Sequence, residues 1–121
     1  MIKGRQAAGQ AFLVARQGDT LLGFATYGNF RSGTGYARTV EHTVILADNA
    51  KGKGVGRALL AALESHAHTN GIHSMIASVA KENTTAIAFH KAVGFTQVAQ
   101  IPEAGRKFGR WLDVVFLQKI L

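Results

Sequence analysis

The chain has 121 residues, enough for one domain around one hydrophobic core, and 47% of them are hydrophobic, so it is expected to fold. Fourteen Lys and Arg against seven Asp and Glu give a net charge of +7, a balance that favours anionic partners such as a phosphorylated cofactor or nucleic acid. Cysteine is absent, which excludes disulfides and thiolate metal sites. No apolar run approaches the ~20 residues of a membrane helix, and the opening MIKGRQAAGQ lacks the apolar stretch of a signal peptide.

These features predict a soluble cytoplasmic protein with no membrane partner. The cations are spread along the chain and no aromatic stacking platform stands out, so no nucleic-acid partner is expected. The histidines do not form a metal set, since His66 and His68, two apart on one predicted helix, point in different directions.

In chain order, Ala11 to Arg16 (AFLVAR) reads as a strand, Gln17 to Asp19 as a turn, and Thr20 to Gly28 (TLLGFATYG) as its antiparallel partner. Asn29 to Tyr36 (NFRSGTGY) is polar and glycine-bearing, hence a loop. Arg38 to Ala47 is a third strand, with Val40, His42, Val44 and Leu46 on one face and Glu41, Thr43 and Ile45 on the other. From Gly54, the spacing of Val55, Leu59 and Leu63 predicts an amphipathic helix to about Asn70, ended by Asn70-Gly71. Ile72 to Ala80 is the next strand, joined to the third by a crossover that suits parallel pairing. A second helix runs over Glu82 to Phe95, with Asn83 or Thr84 as N-cap and Gly94 at the left-handed C′ position. Strands over Phe95 to Ile101 and Trp111 to Lys119 are connected by PEAGRKFGR. The layout is a mixed α/β sheet, an antiparallel hairpin feeding a β-α-β-α-β core in a single domain, residues 1–121.

Between the third strand and the first helix lies DNAKGKGVGRALL, from Asp48 to Leu60, with three glycines and three cations. Backbone N–H groups at a helix start are unpaired and carry the positive end of the helix dipole, and glycines let an anion approach that backbone. The donors run from about Gly52 to Arg57, with Lys51, Lys53 and Arg57 alongside. The stretch is not a P-loop, because it lacks the Gly-Lys-Ser/Thr ending, and its G-x-G-x-G spacing is not the dinucleotide fingerprint. The plain alternative is a glycine-rich helix cap with no ligand.

VILADNAKGKGVGRALL resembles the acetyl-CoA motif of the GNAT superfamily of N-acetyltransferases, Arg/Gln-x-x-Gly-x-Gly/Ala after a strand and opening a helix. Lys51 stands where Arg or Gln is usual, and Gly54 and Gly56 match. NTTAIAFHKAVGF is similar to the superfamily's second signature. FATYGNFR, TVEHTV and GRKFGRWLDVVFLQK resemble the branch that acetylates phosphinothricin and methionine sulfoximine. The resemblance covers nearly the whole chain from about Phe12. It departs at the front, where members usually carry a strand and one or two helices before the hairpin. On this reading the N-terminal elements that wall part of the acceptor pocket are absent.

The resemblance implies an acetyl-CoA-dependent N-acetyltransferase acting on the amine of a small amino-acid-like acceptor. Acetyl-CoA, the co-substrate, would take Lys51, Gly52, Lys53, Gly54, Val55, Gly56 and Arg57 for its pyrophosphate, the backbone of Val44, Ile45 and Leu46 for its pantetheine amides, and the side chain of Asn83. Glu41 lies mid-strand among apolar residues, where a carboxylate either pairs or has a raised pKa suited to base catalysis. The resemblance makes it the general base. His90, four residues before Gly94, is the matching candidate acid or relay for the leaving thiolate. Phe30, Arg31 and Tyr36 fall in the loop that faces the acceptor, with Arg31 suited to a carboxylate. Each residue has a structural alternative: a Glu bonded to a neighbouring arginine, a core histidine, a helix-capping asparagine, a solvated loop cation. The rival function is a non-catalytic CoA- or anion-binding module. The shortened front leaves Phe12, Val14, Leu22 and Phe24 without partners in the chain, which predicts a homodimer.

Overall fold

The computed structural model describes the backbone of residues 2–7 and 10–121 and the side chains of residues 11–121. They fall into two units, Met1–Met75 with Leu121, and Ile76–Ile120.

The first unit carries four strands in the order β1 (Ile2–Ala7), β2 (Gln10–Gln17), β3 (Thr20–Asn29) and β4 (Thr39–Leu46), each antiparallel to the next. Strand alternation sorts their side chains. Ala11, Leu13, Ala15, Ala25, Tyr27, Val40 and His42 are buried, and helix α1 (Val55–Thr69) packs on β2, β3 and β4. The helix contributes Leu59, Leu60, Leu63 and Ala67, each at most 1% exposed. Truncating any one of those leucines to alanine should cost about 2–5 kcal/mol. Gly23 sets how closely β3 and β4 approach, because a Cβ there would lie 2.6 Å from the Ile45 carbonyl oxygen. The α1 C-terminus closes as predicted. Asn70 is the C-cap, Gly71 follows at φ 81°, and the Ile72 N–H donates to the Ala67 carbonyl at 3.0 Å.

The opposite sheet face is apolar and partly open. Val14 lies beside Phe24 and Phe24 beside Ile45 across the strands, and Phe12 stacks on Phe24 with ring centroids 5.2 Å apart. Phe12 and Ile45 remain 42% and 52% exposed.

The second unit contains most of β5 (Ser74–Ala80), α2 (Thr84–Ala92), β6 (Thr96–Lys107) and β7 (Arg110–Ile120), with strand order β5-β7-β6. Gly94 follows the α2 C-cap at φ 103°, the left-handed position expected of it.

The mixed α/β class agrees with the sequence reading, and three local features differ from it. A strand, β1, precedes the hairpin, where no element was expected. Helix α2 is shorter at both ends than Glu82 to Phe95. The stretch PEAGRKFGR is not a plain connection, because β6 continues to Lys107 and turns into β7 through Phe108 and Gly109 alone, at φ 54° and 74°. Positive φ at both turn residues suits the right-handed twist of a tight hairpin. The continuation was hidden by a bulge. Ile101 pairs with Val114 and Gly105 with Leu112, so β6 spends two extra residues there, and Pro102 sits inside the irregularity. The Asp113 carboxylate holds the bulge. It accepts from the Glu103 N–H and the Gln100 amide, both at 3.0 Å, and the Glu103 bond is the first cause of its lowered pKa.

Candidate functional site

The loop before α1 has the geometry an anion needs. A short 3-10 turn over Asp48–Ala50 leads through Lys51 to Gly52 and Gly54, both left-handed at φ 76° and 78°. A Cβ at either glycine would meet nothing within 4 Å, so the space beside this backbone is open. Gly54 is the N-cap of α1 and offers no side-chain cap, and no acidic residue stands in the helix's first turn. The first-turn N–H groups, of Val55, Gly56 and Arg57, therefore keep the positive end of the dipole uncompensated. Lys51, Lys53 and Arg57 are exposed around them. Lys51 bridges Asp48 at 3.2 Å, an exposed pair that an arriving phosphate can displace at little cost. Gly56 is buried in the helix. The residues fit a pyrophosphate in charge, donors and room.

Strand β4 presents Glu41 as the alternation predicts, on the exposed side, with Val40 and His42 buried. Glu41 pairs across the strands with Gly28, and among the described residues its carboxylate has no ion-pair partner. Val44, Ile45 and Leu46 pair through β3 with Ala25, Phe24 and Gly23. Phe30, Arg31 and Tyr36 lie together in the exposed loop between β3 and β4. The Arg31 guanidinium sits over the Tyr36 ring, 4.8 Å from its centroid.

The second unit holds Asn83 and His90. The Asn83 side-chain oxygen caps α2 by accepting from the Ala86 N–H at 3.1 Å. His90 is buried, edge-on to Phe89 and Phe95 with centroids 5.2 Å away in each case. Its Nδ1 lies 2.7 Å from the Ala86 carbonyl oxygen and so carries the proton of that bond. Burial pushes the imidazole pKa below its ordinary value, and the Ala86 bond offsets this in part. Burial thereby favours the neutral ring.

Two polar arrangements escaped the sequence reading. In the first unit the Tyr27 hydroxyl and His66 Nδ1 share a hydrogen bond of 2.9 Å, and burial raises the tyrosine's pKa. In the second, Arg110 grips both Glu82 carboxylate oxygens at 2.6 and 2.9 Å. That pair borders an open cleft of about 360 Å³ lined also by Lys81, Trp111, Leu112 and Asp113. Both pairings join residues 28 or more positions apart, so no local pattern announces them.

The acetyltransferase (GNAT) domain family matches residues 1–116. The chain is 41% identical over 116 residues to an L-methionine sulfoximine/L-methionine sulfone acetyltransferase of Salmonella typhimurium, a match covering 96% of this chain and 68% of the relative. A phosphinothricin N-acetyltransferase of Alcaligenes faecalis is 38% identical over 115 residues, 94% of this chain and 58% of that one. Among solved structures, an acetyltransferase from Salmonella typhimurium with acetyl-CoA superposes at a TM-score of 0.88 with 42% identity, over 93% of this chain and 65% of the other. The chain thus spans about two thirds, or less, of the length of these proteins.

Proposed function

The chain belongs to the GNAT acetyltransferase family, and from that premise we propose that it transfers the acetyl group of acetyl-CoA to the α-amine of a small amino-acid-like acceptor. The observation that carries the reading is the start of α1, where open glycine backbone, an uncapped helix end and three cations coincide. The relatives' acceptors, methionine sulfoximine, methionine sulfone and phosphinothricin, supply the acceptor class.

In this reading Lys51 to Arg57 hold the cofactor's pyrophosphate. The backbone of Val44, Ile45 and Leu46 offers its N–H and C=O groups to the pantetheine amides. Glu41 removes a proton from the acceptor's ammonium, directly or through water. The freed amine lone pair forms the new C–N bond at the thioester carbonyl, the C–S bond breaks, and the departing thiolate takes up the second proton, shed by the nitrogen as it becomes an amide. His90, with Nδ1–H donated to Ala86 and its pKa lowered by burial, serves as a relay that passes a proton through Nε2. Arg31, with Phe30 and Tyr36 beside it, receives the acceptor's carboxylate.

The open face of Phe12, Phe24 and Ile45 supports a homodimer in which a second copy covers it. Light scattering on dilute protein tests this, and a monomer at assay concentration overturns it. A cytoplasmic location goes with this reading, since acetyl-CoA is its co-substrate. Among the described residues no helix is long and apolar enough to cross a membrane.

The decisive experiment measures acetyl-CoA consumption over a panel of free amino acids and analogues, including the three acceptors above. Turnover with at least one is expected, and Glu41→Gln should lower kcat by about 10²–10⁴-fold while leaving acetyl-CoA affinity near wild type. Tight acetyl-CoA binding with no turnover of any acceptor would instead identify a non-catalytic CoA-binding module.

A further inference from the structure

We infer that Tyr36 is a positioning residue for acceptor recognition, holding the Arg31 guanidinium face-on so that its N–H edge meets the acceptor's carboxylate; this rests on the acceptor reading above. Among the described arginines two lie over rings, Arg31 over Tyr36 and Arg106 over Trp111, 4.6 Å from its centroid, and of these only Arg31 stands in the loop assigned to the acceptor. Arg38 donates to the Gly71 carbonyl at 2.8 Å, and Arg110 is locked on both oxygens of Glu82. The Arg31 guanidinium carbon lies over the Tyr36 ring, 4.8 Å from its centroid, and no carboxylate of the described residues pairs with it. A guanidinium's donors lie in its plane, so stacking occupies the face and leaves the edge for a planar bidentate acceptor.

The loop is built to deliver the ring to that place. The Phe30 N–H donates to the Thr39 carbonyl at 3.1 Å and closes the loop just before Arg31. Gly33, at φ 108°, reverses the chain, and the Tyr36 N–H donates back to the Gly33 carbonyl at 3.1 Å. A Cβ on Gly33 would touch the Tyr36 ring at 3.7 Å, so the ring lies close to the turn as well as to the guanidinium. A long, rotamer-rich side chain at an exposed site gains from such a platform, since less freedom is lost when the carboxylate binds.

The test compares kcat and KM for an accepted α-amino acid and for the matched amine without its carboxylate, in wild type, Arg31→Ala, Tyr36→Leu, Tyr36→Phe and the Arg31→Ala/Tyr36→Leu double variant. Tyr36→Leu should raise KM for the amino acid about two- to fivefold, the range of an exposed cation–π contact. Its kcat and its KM for the amine should not move. Tyr36→Phe should restore the wild-type KM, because the ring and not the hydroxyl is the platform. In the Arg31→Ala background Tyr36→Leu should add nothing. An equal KM rise for both acceptors, a Tyr36→Phe loss matching that of Tyr36→Leu, or additive losses in the double variant would overturn the inference. An Arg31→Ala variant that treats both acceptors alike overturns the carboxylate reading of Arg31 itself. Discrimination by Arg31→Ala alongside a silent Tyr36→Leu overturns only the role of Tyr36.

Discussion

The N-terminal ends of the two helices are built in opposite ways. Helix α2 starts at Asn83, whose side-chain oxygen satisfies the Ala86 N–H within the chain. Helix α1 starts at a left-handed glycine with no side-chain cap, and cations stand where a stabilising acid would be favoured. Both ends need partners for their first N–H groups, and only one of them finds a side chain to supply it. An end capped by its own chain contributes to stability without a ligand. An end left bare contributes most when an anion arrives, so binding and stability become linked there.

Charge reversal tests the bare end with the largest effect. Lys53→Glu combined with Arg57→Glu should weaken acetyl-CoA binding by roughly 10²-fold or more, since each lost charge-assisted bond is worth about 1.5–3 kcal/mol. The fold should change little, because both side chains are exposed and acids near a helix N-terminus are tolerated. Calorimetric titration checks it, and an unchanged Kd in the folded double variant would remove the pyrophosphate from this loop.

At the capped end the expected effect is on stability. Asn83→Ala should cost about 1 kcal/mol, seen as a drop of a few degrees in Tm. Asn83→Asp keeps an oxygen for the Ala86 N–H and loses the amide donor, so it should hold the Tm. If the amide also binds acetyl-CoA, Asn83→Asp will still weaken that affinity. An affinity equal to wild type would confine Asn83 to capping and make the contrast between the two ends complete.

The smallest effect is read as a pH slope at the other end of α2. His90 has a pKa lowered from 6.5, chiefly by burial. Below that ordinary value the unfolded chain binds the proton more readily than the folded one. Stability should therefore fall as pH drops through about 6.5 and level off below the folded-state value. Urea midpoints from pH 7.5 to 5 should show this decline, and His90→Phe should flatten it. A slope that survives the substitution would place its source elsewhere.

How much of this was legible depended on the range of the interaction responsible. Leu59, Leu60 and Leu63 mark the buried face of α1, and the Val40 and His42 alternation marks β4, because helical and strand periods are properties of a few consecutive residues. Gly71 and Gly94 mark helix ends for the same local reason, that a left-handed residue there is easiest without a Cβ. The open, uncapped start of α1 at Gly54 was likewise readable, since it needs only a loop and the helix after it.

Residues far apart in sequence decided the rest. The course of β6 past Pro102 depends on Asp113 reaching across to the Glu103 N–H, and a bulge breaks the alternation that would have announced the strand. Whether Asn83 or Thr84 capped α2 was open until the backbone at Asn83 took a non-helical conformation that aims its side chain at Ala86. The sequence by itself determined the class of fold, the helix and strand periods and the chemistry of the α1 loop. Only the tertiary structure decided that His90 is buried edge-on to two phenylalanines, with its pKa lowered, and that Arg31 lies over the Tyr36 ring. Burial, desolvation and stacking are set by which surfaces meet, and that is a property of the folded chain.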